Sequence, residues 1–414
     1  MAKCISLGKF NKNSKYLLYY LISKFLYEGM AGLKYGSLYK PMKFYEKQGV
    51  IKSHKLVIDF FSYVGIALLS LILKRYEPDN KEKQLINKDS TLKLIYVDKT
   101  TFSMNKYDII MVAFFWVCHI QLLRLYYQSN LGYLDYWALE MVITYFMCKK
   151  MFKIEIYSHQ KLAIYFITIF CSLLILISFI LTFINEDEII YKKHLYFIPV
   201  GILSYLIILI IRVYSNCKSK YLIDFKYISP DKLLIAYGII GAISCFIICI
   251  LTTFIDCGNN SLELCYMERN GKPYYDSFII FFDEYFHDSF KVIDIFLILF
   301  LIFFNFLTSY FYLLIIQYLS PFYAVCLPSI HYFILQIILL INTFVQGEKE
   351  IITSQLAKVI IEISTDFFSL LGIFVYLELI ELNICKLNYN LKKSIRNRAT
   401  SEIEIIERNK NIND

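Results

Sequence analysis

Long unbroken apolar runs constrain this chain more than any motif does. Nine stretches qualify: roughly 55–73, 107–127, 131–148, 162–184, 195–214, 233–255, 292–316, 322–341 and 359–383. Each approaches the ~20 residues an α-helix needs to cross a hydrocarbon core. In lipid a backbone satisfies its own hydrogen bonds only as helices or closed barrels. The runs therefore predict an all-α membrane protein. Composition agrees, with 57% of the 414 residues hydrophobic and 19% charged, too little charge for a soluble protein of this size.

Lysine and arginine fix the expected orientation, because they concentrate in cytoplasmic loops. The tail 385–414 carries seven basic residues, the loop 212–232 five, 149–161 four and 74–106 eight. The intervening loops are acidic or neutral: Glu186, Asp187 and Glu188 stand in one, and 256–291 holds seven acids against three bases. The net charge of +8 thus reports inner loops. No basic stripe is interleaved with stacking aromatics, so nucleic acid is not an expected partner.

Nine spans would leave the N-terminus outside, yet residues 1–15 carry four lysines. A tenth helix at 16–33, with Lys24 and Glu28 paired at i, i+4, returns both termini to the cytoplasm. An interfacial amphipathic helix is the alternative there. The expected layout is an N-terminal region at 1–54, a polytopic domain at 55–384 and a cytoplasmic tail at 385–414, in the endomembrane system or plasma membrane.

The eleven cysteines show no CxxC and no paired Cys/His spacing, so no metal or other cofactor is expected. Cys257 and Cys265 are close enough in sequence to close a small disulfide loop. Asn259 opens the sequon Asn259-Asn260-Ser261, a candidate glycosylation site. Both belong on the extracytoplasmic side, where the charge count places 256–291.

Two tight connections echo each other. YLDYW at 133–137 and YLSPF at 318–322 each join two spans through a few residues, one turning outside and the other inside. That pattern predicts two five-helix repeats of inverted topology, hinged at 212–232. The stretch LLRLYYQSNLGYLDYWALEMVITYFMCKKMFKIEIYSHQKLAIYFI (122–167) resembles the third to fifth helices of the drug/metabolite transporter superfamily, which includes EamA-like and nucleotide-sugar transporters. TSYFYLLIIQYLSPFYAVCLPSIHYFILQIILLI (308–341) is similar to its eighth and ninth. The resemblance implies ten helices around a central cavity, lined by the third, fourth, eighth and ninth, and alternating-access transport of a small solute. The chain departs from phosphate-carrying relatives in lacking a basic pair in the ninth helix, and its last helix is more acidic.

Polar groups within spans are candidates for function by default. Asp135 reads as an interfacial carboxylate at a helix start. Glu140, two turns in, shares a face with Tyr136 and Thr144 that would line a wet cavity. Gln121, Arg124 and Gln128 form a polar stripe on the preceding helix. Arg124 either binds an anion, pairs with Asp135 or Glu140, or snorkels outward. Trp116 and His119 read as packing residues. Asn305, Ser309 and Tyr312 line one face of a later helix. His331 follows the helix-interior Pro328 and could titrate. Glu362 and Asp366 share a face; Glu378 and Glu381 need no special role. Gly238 and Ala242 make a small-xxx-small pair suited to close packing or to a homo-oligomer face.

A membrane acyltransferase using His331 and Asn305, and a scaffold without transport, are the alternatives. The expected function is transport of a small polar or anionic metabolite, such as a nucleotide-sugar or phosphorylated metabolite.

Overall fold

The computed structural model describes residues 5–7, 15–35, 55–76, 99–128, 137–152, 157–184, 197–226, 228–254, 267–269, 272–274, 277–279, 281–282, 292–346, 363–364, 367–376 and 378–382. In chain order the helices are α1 (Lys15–Tyr35), α2 (Lys55–Tyr76), α3 (Lys99–Gln128), α4 (Trp137–Phe152), α5 (Ser158–Ile184), α6 (Phe197–Phe225), α7 (Pro230–Thr253), α8 (Val292–Tyr318) and α9 (Pro321–Gln346). A shorter apolar helix, α10, covers Phe367–Tyr376. Among the described residues, five helices are long and apolar enough to cross a membrane: α2, α3, α6, α7 and α8. Their outer faces suit lipid. On α7, Ile239, Ile243, Ile247 and Leu251 stand exposed at four-residue spacing, and on α8 Phe296, Leu299, Phe300 and Phe303 do the same. Apolar faces of this extent are stable against acyl chains, not water. The chain is a helical membrane protein.

Among the described residues, four three-residue strands accompany the helices. β1 (Ile5–Leu7) pairs antiparallel with β4 (Ile380–Leu382), and β2 (Met267–Arg269) with β3 (Lys272–Tyr274). Asn270-Gly271 separates the second pair, a dipeptide suited to a two-residue hairpin turn.

The chain divides into two compact units that cut across its sequence halves. One holds α1–α3 with α6–α8. The other holds α4, α5, α10, β1, β4 and α9 from Val325 onward.

In the six-helix unit, side-chain pairs fix the helix directions. Tyr16 stacks on Tyr318 at 5.2 Å between ring centroids and Tyr20 meets Tyr312 at 5.9 Å, so α1 and α8 run antiparallel. Asp108 pairs with Lys218 at 3.1 Å and Tyr126 meets Tyr205, so α3 and α6 run antiparallel. Phe60 meets Phe246, and Ala67 meets Gly238, so α2 and α7 do likewise. Trp116 packs on Tyr237 and Gln121 reaches Cys245, which makes α3 and α7 parallel. Lys220 Nζ donates to the Gln317 carbonyl at 2.7 Å, bringing the ends of α6 and α8 together. The expected Lys24–Glu28 pair is present at 3.2 Å.

Glycines permit the closest of these approaches. A Cβ on Gly238 would lie 2.6 Å from the Ala67 amide nitrogen and 2.8 Å from the Tyr63 carbonyl oxygen. One on Gly241 would enter the Tyr63 ring, and one on Gly65 would enter Ile302 of α8. The small stripe read at Gly238 thus seats α7 on α2 of the same chain.

In the four-helix unit, α5 and α10 cross antiparallel. Phe170 stacks on Phe368 at 4.9 Å, and a Cβ on Gly372 would lie 2.6 Å from Ile167 Cγ1. Phe333 of α9 meets Phe367 of α10, and α4 packs on α5. Gln160 accepts a hydrogen bond from the Tyr157 amide at 3.2 Å, the back-reach of a capping box that starts α5.

Several expected boundaries move. The stretch 212–232, expected as a hinge loop, is helical to Phe225, and four residues separate α6 from α7. Lysines depress hydropathy there without breaking the helix, because Lys220 pairs with Asp224 at i, i+4 and no Gly or Pro intervenes until Pro230 takes the first turn of α7. α10 ends at Tyr376, short of the expected 383. Glu378 takes φ 60°, and the apolar–acidic–apolar alternation of Ile380-Glu381-Leu382 continues as a strand. α4 starts at Trp137, so Glu140 lies in its first turn, not two turns in. The connection at YLSPF is short as expected: two residues separate α8 from α9, and α9 is helical on both sides of Pro328. The YLDYW connection lies outside the described residues.

Candidate functional site

The six-helix unit has a polar interior built by α2, α3, α6 and α7. Four-residue spacing on α2 and α7 turns Tyr63 and Tyr237 inward, 4% and 5% exposed. Their rings meet edge-on at 5.2 Å. The Tyr63 hydroxyl is hydrogen-bonded to Gln121 of α3 and to the hydroxyl of Tyr237. The same amide nitrogen reaches Cys245 Sγ at 3.5 Å. Trp116, one turn earlier on α3, lies between Tyr237 at 4.7 Å and Tyr312 of α8 at 5.9 Å. The result is a hydrogen-bond chain roofed by aromatic faces.

Next to it, α6 buries a second set. Arg212 is 9% exposed and Asn216, four residues on, 1%. Arg212 interacts electrostatically with the buried His119 of α3. Both polar atoms of the Asn216 amide lack a hydrogen-bond partner. Ser215 and Ser219 are buried too, but each hydroxyl bonds the carbonyl four residues back.

The structure brings together some sequence-derived candidates and separates others. Gln121 and Tyr312 share the aromatic interior of the six-helix unit. Asn305 and Ser309 are half-buried on α8. Glu140, Thr144 and His331 are buried in the four-helix unit. The Thr144 hydroxyl donates to the Glu140 carbonyl at 2.7 Å, so it is committed to its own helix. Glu140, in the first turn of α4, gains from the helix dipole, the role read for Asp135. Arg124 lies on α3, but its side chain is outside the described residues, as are Tyr136, Asp135, Cys257, Cys265, Asn259, Glu362 and Asp366.

Sequence reasoning missed Tyr63, Tyr237, Arg212, Asn216 and the His159–Glu378 contact. The α6 pair had a signal: Arg212, Asn216 and Lys220 stand at i, i+4 and i+8, one helical stripe, but the stripe was assigned to a loop. The tyrosines had none, being two among 36.

A shallow groove of about 130 Å³ lies between α1 and α8, lined by Tyr19, Ile22, Leu26, Phe304 and Phe311. Ser23, its one polar wall residue besides Tyr19, gives its hydroxyl to the Tyr20 carbonyl at 2.9 Å. The groove therefore suits an acyl chain, not a polar solute. Among the described residues no cluster of His, Cys, Asp and Glu is arranged to hold a metal.

No protein-family model and no curated protein matches the chain.

Proposed function

We propose that the chain is a ten-helix secondary transporter made of two inverted five-helix repeats, moving a small polar or anionic solute by alternating access. The observation that carries this reading is the mirrored pairing of its helices. Exchange α1–α5 with α6–α10, and the pairing α1·α8 becomes α6·α3. Likewise α3·α7 becomes α8·α2, and α4·α5 becomes α9·α10. The pairs α2·α7 and α5·α10 map onto themselves, and all of these pairings occur; α8 also meets α6 and α7, whose mirror pairs, α1·α3 and α2·α3, are at most marginal among the described residues. Both self-paired crossings are antiparallel and glycine-seated. Each compact unit, too, draws equivalent helices from both repeats.

Inverted repeats matter for function because they let one sequence pattern adopt two related conformations, open to opposite sides. Such a fold needs α1 to span the membrane, which its 21 residues allow. The β1·β4 pair supports a common side for both ends of the helical region. The polar interior formed by Gln121, Tyr63, Tyr237 and Tyr312, with Asn305 and Ser309 on α8, is the part of the six-helix unit suited to polar cargo.

Counterflow tests this reading. Purified protein is reconstituted into liposomes preloaded with unlabelled sugar phosphates, nucleotides, carboxylates and amino acids, and each labelled class is then added outside. Saturable accumulation of one class, absent from protein-free liposomes, is expected. Folded, reconstituted protein that moves none of them overturns the reading.

A further inference from the structure

The start of α1 carries a charge that the packing of the six-helix unit does not use. Lys15, Tyr19, Ile22 and Leu26 stand at i, i+4, i+7 and i+11, so they share one face of the helix. All four are exposed. Lys15 Nζ lies 5.2 Å from the centre of the Tyr16 ring, which stacks on Tyr318 of α8. Among the described residues no carboxylate pairs with Lys15, whereas Lys24, the next cation on α1, is held by Glu28 at 3.2 Å.

The groove between α1 and α8 begins one turn beyond this lysine. Its walls are Tyr19, Ile22 and Leu26 on one side and Phe311, Leu307 and Phe304 on the other. Tyr19 meets Phe311 at 5.4 Å, which marks the end nearer Lys15. Tyr318 closes the apolar span of α8, so the Tyr16–Tyr318 pair falls at headgroup depth, where tyrosine rings gather. From Lys15 to Leu26 the helix rises about 16 Å. One leaflet of hydrocarbon is about 15 Å deep. The groove therefore runs from the headgroups to the middle of the bilayer.

An apolar groove one leaflet long, with a cation at its mouth, matches a phospholipid in shape and charge. An acyl chain fills the groove, and the headgroup phosphate meets the ammonium. A zwitterionic headgroup brings its own cation and gains less from Lys15 than an anionic one does.

We propose that α1 and α8 hold one anionic phospholipid, its acyl chain in the groove and its headgroup at Lys15. The site goes beyond the transport reading and does not depend on it.

The test uses the full chain in detergent, stripped of lipid. Phosphatidylglycerol and phosphatidylcholine with matched chains are then added in equal amounts, and native mass spectrometry reads the bound lipid. One phosphatidylglycerol per protein is expected, favoured about fivefold over phosphatidylcholine, the gain from one lysine beside an anionic headgroup. Lys15→Gln should bring the two lipids within about twofold of each other. Ile22→Trp fills the groove from a position that is 48% exposed, so it should lose the bound lipid and melt close to wild type. Leu26→Trp, also exposed, repeats the test at the far end of the groove. Ile243→Trp, on the exposed face of α7, should keep both the lipid and the preference.

Wild type that binds no lipid, or binds the two equally, overturns the proposal; equal binding is the behaviour of ordinary boundary lipid. A preference that survives Lys15→Gln overturns it, as does a bound lipid that survives both groove tryptophans. So does a dimer that dissociates in Ile22→Trp without loss of lipid, which gives this face to a second copy of the chain.

Discussion

His159 Nε2 stands 3.4 Å from a carboxylate oxygen of Glu378, with side chains 2% and 12% exposed. The contact ties the first turn of α5 to the residues that follow α10. Glu378 is also the one described non-glycine residue with positive φ, at 60°, where a Cβ costs about 1–2 kcal/mol. Its amide donates to the Val375 carbonyl, and the next amide, of Leu379, to that of Phe374, which closes the helix end. One residue thus holds a strained backbone and a cross-helix partner.

The two roles separate by substitution. Glu378→Gly removes the partner but relaxes the backbone; Glu378→Ala removes the partner and keeps the strain. The alanine variant should melt lower in detergent, by the equivalent of about 1 kcal/mol. In a double-mutant cycle with His159→Ala, the Glu378→Ala effect should shrink by about 0.5 kcal/mol or more. Additive effects would mean the contact carries no energy.

The α2·α7 crossing makes a steric prediction. Gly238→Ala forces a methyl group against backbone atoms of α2 at 2.6 and 2.8 Å, which no rotamer change relieves. Overpacking of this kind costs about 1–3 kcal/mol, more where backbone must move. Gly29 of α1 has nothing within 4 Å of its would-be Cβ. Gly29→Ala should therefore be neutral or raise stability by up to about 1 kcal/mol. Equal melting shifts in the two variants would contradict the helix register.

Tyr63 is the relay of the hydrogen-bond chain, bonded to both Gln121 and Tyr237. Tyr63→Phe removes a buried partner from each of them, at about 1–3 kcal/mol apiece. Gln121→Met removes the first partner at nearly constant volume. The double variant should lose less than the sum of the singles, since each single change leaves the other partner unmatched. A strictly additive pair, measured by thermal unfolding, would rule out the relay.

Several of these features were legible in the sequence and several were not, for physical reasons. Apolar length set most of the helices. Gly238 read correctly as a packing glycine because Ala242 stands one turn on, a small-xxx-small pair. Lys24–Glu28 followed from helical spacing alone. The inner end of α6 was lost because hydropathy scores a lysine as a helix end, whereas Lys218 and Lys220 are held by Asp108, Asp224 and a carbonyl. Arg212 and Asn216 went with it into a supposed loop. The end of α10 hinged on a glutamate in a backbone conformation that favours glycine, for which local sequence gives no warning. The β2–β3 hairpin did carry its Asn270-Gly271 signal, outweighed by the charge of the surrounding loop. The Tyr63–Tyr237 pairing depends on which faces meet, and only tertiary packing decides that.

The span at α1 yields the last prediction. Its direction is set by three ring pairs with α8: Tyr16 with Tyr318, Tyr19 with Phe311 and Tyr20 with Tyr312. An interfacial helix lying flat could touch α8 at one point but could not follow it over this length, and Leu26 still borders the groove shared with Phe304. Cysteines at Tyr16 and Tyr318 should therefore cross-link with copper–phenanthroline in native membranes, and cysteines at Leu26 and Phe304 should do so independently. A Tyr16–Phe304 pair, displaced by more than three helical turns along α8, should not. If only the first pair forms, α1 touches α8 near one end and lies in the interface, and the proposed ten-helix repeat loses its first member. If both expected pairs form and the displaced pair does not, α1 crosses the bilayer alongside α8, as the proposed symmetry with α6 and α3 requires.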